Sequence, residues 1–335
     1  MSRRVIPGLE APDPVLEGEV RARLEEVEAA IEKAVRADSD MLSETSRYLL
    51  AAGGKRFRPM LLLLSGYFGD PADQRLIVGA VAIELVHAAT LYHDDVIDEA
   101  ASRHGVPSAN ARWNNTVAIL TGDYLFARAS EISSDLGTDV IALFARTIAT
   151  LCDGQIREVE ASGNVEQTRE AYLEVIRRKT GALIATSCRL GGMLSDATPE
   201  NVGVLEAYGE ALGMAFQLSD DIMDVTSSAS ELGKEPGVDM KEGVYTLPVL
   251  LALHAGADRV ELSSLLSGGP PEGERLARAL AIVQDQATLA EARTLVAVEV
   301  DRARELASRL PHCAARTALL QLAEFLAVRC GARRP

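Results

Sequence analysis

Two copies of one acidic pattern, Asp-Asp-x-x-Asp, sit inside apolar helical stretches of this chain. Asp94, Asp95 and Asp98 stand in LYHDDVIDEA, and Asp220, Asp221 and Asp224 in LSDDIMDV. A carboxylate taken out of water without a partner protonates rather than stay charged, so six of them on apolar helices require cations between them. Mg2+ suits such a place, because it takes hard oxygen ligands and is held by a few carboxylates plus the oxygens of a substrate phosphate. The two helices are therefore expected to face each other across a space that receives a diphosphate. Helix capping fails as an explanation on sign. Each cluster lies near the C-terminal end of its apolar run, Ile77 to Ile97 and Val202 to Val225, where the helix dipole disfavours negative charge. A calcium loop is excluded by the absence of its glycine and alternating oxygen ligands.

The surroundings of these motifs read as helix throughout. Apolar residues recur three and four apart, alanine and leucine dominate, and aromatics are only 4%, which predicts an all-α fold with few candidate strands. With 47% hydrophobic residues among 335, the chain can bury a large core. Residues 1–14, with three prolines and no periodicity, read as a loose tail, and 15–335 as a single helical domain, since no linker long enough to divide it is visible. A net charge of −15 argues against nucleic acid and anionic lipid as partners. Cys152, Cys188, Cys313 and Cys330 are far apart and form no Cys-x-x-Cys, so neither a zinc site nor a disulfide framework is indicated. With no apolar signal core at the N-terminus, the expected location is the cytoplasm, without membrane insertion.

Spacing places further groups beside the carboxylates. Asp94 and Asp98 are four apart and His87 lies two turns before Asp94, so the three share a helix face. On the second helix Gln217 precedes Asp221 by four, and Asp220 precedes Asp224 by four. The segment GGKRFRP gathers Lys55, Arg56 and Arg58 at a glycine turn and a helix start, which in an acidic chain reads as an anion site. It is not a P-loop, because Arg56 follows the lysine where serine or threonine is required. Arg103, Lys179 and Lys234 are isolated cations near the same elements.

GGKRFRP, ELVHAATLYHDDVIDEA, NNTVAILTGDYLFARA, GQIRE, RRKTGAL, AFQLSDDIMDV, LGKEPGVD and EGVYTLPVL follow one another in the order and spacing of the trans-isoprenyl diphosphate synthases, over about residues 40 to 255. The chain resembles most the bacterial medium- and long-chain polyprenyl diphosphate synthases of that family. The resemblance implies a single bundle of about a dozen helices around a deep cavity, usually as a homodimer. It also implies head-to-tail condensation of isopentenyl diphosphate with an allylic diphosphate. By resemblance, about three Mg2+ ions are held by Asp94, Asp98 and Asp220, supported by Asp95, Asp221 and Asp224. Arg103, Lys179 and Lys234 then contact the allylic diphosphate, Lys55, Arg58 and His87 hold isopentenyl diphosphate, and the oxygen dipoles of Thr180 and Gln217 stabilise the allylic cation.

Thr90 and Ala89, four and five residues before Asp94, are small where short-chain members often carry an aromatic, which favours a long product. Two positions depart from the family pattern. His104 stands in place of the second arginine of Arg-Arg-Gly, an arginine that usually contacts isopentenyl diphosphate, and Val244 stands where many members have lysine. A class I terpene cyclase and a non-catalytic subunit of a heteromeric synthase remain as alternatives. Retention of Lys55, Arg58 and His87 weighs against the first, and two intact acidic motifs weigh against the second.

Overall fold

A computed structural model describes residues 13–52, 56–103, 105–226 and 236–333. These residues are almost wholly α-helical, and their only strands are a two-residue pair, Ser102–Arg103 and Val106–Pro107, antiparallel around Gly105. The chain forms two compact units. One runs through Ile148 and takes in Leu183–Glu206 and Arg309–Leu319. The other comprises Ala149–Ala182, Ala207–Ser308 and the residues from Leu320 onward.

In the first unit α1 (Pro14–Ala34) begins where proline and a capping aspartate dictate. Proline at the first position loses no needed hydrogen bond, and the Asp13 carboxylate accepts from the amides of Val15 at 2.9 Å and Leu16 at 3.2 Å. Pro14, expected as the last residue of a loose tail, is instead the first residue of α1. Leu16, Val20, Val27 and Ile31 form the buried stripe of α1. After α2 (Asp40–Ala51), the short α3 (Phe57–Gly66) is buried along most of its length.

The centre of this unit is α4 (Arg75–Ile97), whose residues are buried on every face from Leu76 to Tyr92. It is long and apolar enough to cross a membrane, but the fold buries most of its apolar window, as a core helix requires. Further around lie α5 (Ala109–Arg112), α6 (Asn115–Ser134) and the first part of α7 (Thr138–Ala161). Then comes α9 (Ala182–Leu194), which crosses α3 so closely that a Cβ on Gly191 would stand 2.1 Å from the Leu62 carbonyl oxygen.

The second unit opens with the end of α7 and α8 (Arg169–Ile176), capped by the Thr168 hydroxyl. A π-helical turn, Arg177–Gly181, follows directly and carries RRKTG. The long α10 (Pro199–Thr226) delivers the second acidic motif in its last turns. After it come α11 (Val238–Lys241), α12 (Leu247–Ala255), α13 (Arg259–Leu266), α14 (Gly273–Val283), α15 (Gln286–Ser308) and α16 (Ala314–Arg329), whose end lies in this unit.

Candidate active site

The first acidic motif closes α4. Asp94 is half-buried, Asp95 is fully buried, and Asp98 is exposed at the helix C-cap, where its amide bonds the Asp94 carbonyl at 2.8 Å. Asp95 is taken by the protein itself. The short strand pair turns the chain back so that the Arg103 Nε donates to Asp95 Oδ1 at 2.7 Å. Hydrogen bonds from Ser108 and Asn110 to the Ala100 carbonyl hold that return in place. Arg103, expected to contact the allylic diphosphate, is thus docked beside the motif through its middle aspartate, with about a third of its side chain exposed.

The cations of GGKRFRP divide by role. Arg56 adopts left-handed backbone geometry (φ 45°) and turns inward, onto Glu28, onto Glu84 Oε1 at 2.9 Å and onto the Leu50 carbonyl at 2.7 Å. Read from sequence as part of an anion site, its guanidinium is instead shared between the exposed Glu28 and the buried Glu84, which lies on α4 and needs a counter-charge. Arg58 is different. Its Nε is buried with no hydrogen-bond partner among the described residues, and desolvation lowers its pKa to about 10 despite the nearby Glu84 carboxylate. His87, one turn after Glu84 on the same helix, is half-buried. Lys55, His104 and Lys234 lie outside the described residues.

The second unit brings together three of the expected residues. The Thr180 hydroxyl donates to Gln217 Oε1 at 2.9 Å, and Gln217 Nε2 donates to Asp221 Oδ1 at 3.0 Å. The Tyr172 hydroxyl donates to the other oxygen of Asp221. Asp221 is fully buried and burial pushes its carboxyl well above the usual range. Asp224 is buried too, whereas Asp220 is partly exposed and ion-pairs with Arg329 at the end of α16. Lys179, in the π turn, ion-pairs with Glu158 of the GQIRE segment. That pairing depends on Gly154, because a Cβ there would stand 2.8 Å from the Lys179 amide nitrogen and 2.9 Å from the Arg178 Cβ.

Sequence reasoning passed over Tyr172, Glu158, Glu84 and Arg329. Glu158 carried a signal in its own motif and Glu84 one in its spacing from His87. Tyr172 and Arg329 carried none, since the contacts that define them join distant segments.

Among the described residues no group of three or more His, Cys, Asp or Glu side chains converges as a preformed metal cluster. The donors nonetheless suit Mg2+. They are carboxylate oxygens only, and Asp220 already draws a cation, Arg329, to Oδ1.

A family model for the polyprenyl synthetases matches residues 39–283. The nonaprenyl diphosphate synthase of Mycobacterium tuberculosis is 41% identical over 329 residues, covering 98% of this chain and 98% of that one. Among solved structures, a decaprenyl diphosphate synthase from Rhodobacter capsulatus superposes with a TM-score of 0.88 at 33% identity, over 95% of this chain and 99% of its own. A polyprenyl synthase from Caulobacter crescentus, complexed with calcium and isoprenyl diphosphate, gives 0.87 at 30% identity, over 95% and 98%. The fold is the all-α isoprenoid synthase fold of these neighbours. On this agreement of motifs, fold and relatives, the chain belongs to the polyprenyl synthetase family, whose members are prenyltransferases.

Proposed function

We propose that this chain condenses isopentenyl diphosphate head-to-tail with an allylic prenyl diphosphate, giving an all-trans prenyl diphosphate of roughly C30 to C50, because the small side chains of Ala89 and Thr90 stand where short-chain members often carry an aromatic. The observation that carries the reading is Arg58. A buried guanidinium nitrogen without an acceptor is costly unless an anion completes it, and a diphosphate is such an anion. A cyclase, which ionises one diphosphate and adds no second substrate, has no use for it.

When bound, Mg2+ neutralises the leaving diphosphate, with Asp94, Asp98 and Asp220 as the residues that would hold about three ions. Asp95, Asp221 and Asp224 support them. Arg103, Lys179 and Lys234 bind the allylic diphosphate, while Lys55, Arg58 and His87 bind isopentenyl diphosphate so that its double bond lies beside the carbon that ionises. The allylic carbon–oxygen bond breaks, and the double bond attacks the resulting cation to form the new carbon–carbon bond. The departing diphosphate takes the proton that restores an alkene. The Thr180 hydroxyl and Gln217 carbonyl oxygens offer dipoles to the cation. A homodimer in the cytoplasm, with residues 15–335 as a single catalytic domain, completes the proposal.

The test is incubation with Mg2+, geranylgeranyl diphosphate and labelled isopentenyl diphosphate, followed by chromatography of the dephosphorylated products. Labelled linear prenols are expected. An unlabelled cyclic hydrocarbon would establish a cyclase instead, and absence of turnover by the chain alone would point to a subunit that needs a partner.

A further inference from the structure

Tyr172 lies on α8, 4% exposed, and is not among the residues through which the proposed reaction runs. Its hydroxyl donates to Asp221 Oδ2 while Gln217 Nε2 donates to Oδ1, so both oxygens of that carboxyl are turned toward protein donors. Asp221 stands between Asp220 and Asp224 in the last turns of α10. Successive side chains of a helix leave it about 100° apart, so pinning Asp221 fixes the rotation of this last turn of α10 and with it the directions in which the Cα–Cβ bonds of Asp220 and Asp224 leave the helix. Through Gln217 the same network reaches Thr180, beside Lys179 in the π turn.

From this geometry we propose that Tyr172 is a positioning residue for the second acidic motif. Acting through Asp221, it holds Asp220 and Asp224 in the orientation that takes up divalent metal, and Asp221 is an anchor, not a ligand. The inference rests on the reading above that this motif binds metal. Partners that orient ligand groups from behind typically contribute 10- to 100-fold to metal affinity.

Tyr172→Phe keeps the ring and removes only the donor. The test compares the full chain and its variants by titration with Mn2+ in the presence of inorganic diphosphate, reading free Mn2+ by electron paramagnetic resonance, with the unfolding midpoint of the metal-free protein alongside. Tyr172→Phe is expected to weaken apparent Mn2+ affinity by about tenfold, with the metal-free midpoint nearly unchanged. Asp221→Asn is expected to cost about as much, and Asp220→Asn clearly more. An affinity for Tyr172→Phe within about twofold of the parent, or an Asp221→Asn as severe as Asp220→Asn, would overturn the inference. If Tyr172→Phe folds poorly, the comparison of the two aspartate variants decides. Should Asp220→Asn itself leave Mn2+ binding intact, the metal reading of the motif fails. Should Asp220→Asn weaken binding while Tyr172→Phe does not, only the role of Tyr172 falls.

Discussion

Arg329, the last residue of α16, ion-pairs with Asp220, the first carboxylate of the second acidic motif. It also donates to the Ser219 hydroxyl and the Phe216 carbonyl, and its guanidinium lies 4.8 Å above the Phe216 ring. The arginine is therefore a fixed positive charge facing a partly exposed carboxylate. Arg329→Gln is expected to destabilise the metal-free protein by roughly 1–2 kcal/mol, a modest figure because Asp220 is partly exposed. Adding Mg2+ with inorganic diphosphate should narrow the difference, since metal then supplies the missing charge. Urea unfolding with and without metal measures both, and an equal loss in the two conditions would remove Asp220 from the metal site.

Gly154 permits the close approach of α7 to the π turn. Gly154→Ala must push that turn away by several tenths of an ångström, because the new methyl would meet backbone and not a flexible side-chain tip. Displacement of Lys179 and Thr180 on this scale should lower turnover by about 10- to 100-fold, with a smaller change in melting temperature. Steady-state kinetics together with thermal unfolding would separate this outcome from simple loss of fold.

Arg58 is charged at the expense of stability. Its folded pKa of about 10 lies below its ordinary value of 12.5, so the relative stability that goes with shedding its charge is lost as pH falls through 10. At neutral pH the burial penalty is fully present. Arg58→Met should therefore stabilise the ligand-free protein by about 1 kcal/mol or more, while sharply weakening isopentenyl diphosphate binding. The stabilisation should shrink as pH rises above 10. Unfolding curves from pH 8 to 10.5 test the sign, and a destabilised variant across that range would refute it.

Thr90 is half-buried, and its hydroxyl donates to the His87 carbonyl one turn back in the same helix at 2.7 Å. Thr90→Phe should place a ring in the path of the growing chain and shorten the product by several isoprene units. Chromatography of the dephosphorylated products reads this directly, and an unchanged product length would place the tail elsewhere.

His104, which lies outside the described residues, stands in place of the second arginine of the Arg-Arg-Gly pattern that the family resemblance leads one to expect. His104→Arg is expected to lower the KM for isopentenyl diphosphate while leaving the KM for the allylic substrate little changed. Equal KM values for isopentenyl diphosphate in parent and variant would show that this position does not touch the second substrate.

The helices that carry the site were legible because apolar spacing reports burial directly. The run from Ile77 to Ile97 became α4 and that from Val202 to Val225 became most of α10, with both acidic motifs in their last turns. The capped start at Asp13 and Pro14 was written in the chain, although the neighbouring prolines masked it. What could not be read was the division of labour among like residues. Arg56 and Arg58 differ by two positions and look equivalent, yet one is spent on Glu28 and Glu84 while the other keeps a buried nitrogen unpaired. Asp220 and Asp221 are adjacent, and only tertiary packing gives the second its tyrosine. The π turn at Arg177–Gly181 was also silent in the sequence, since a widened turn leaves the apolar spacing of its flanking helices intact.

Asp220 and its arginine are separated by 109 residues of chain. During synthesis at about 5–20 residues per second, the acidic motif emerges roughly 5–20 seconds before the residue that offsets its charge. For that interval the aspartates at the end of α10 stand without Arg329. The last turn of α10 is thus expected to take its final form only after the end of α16 has been made.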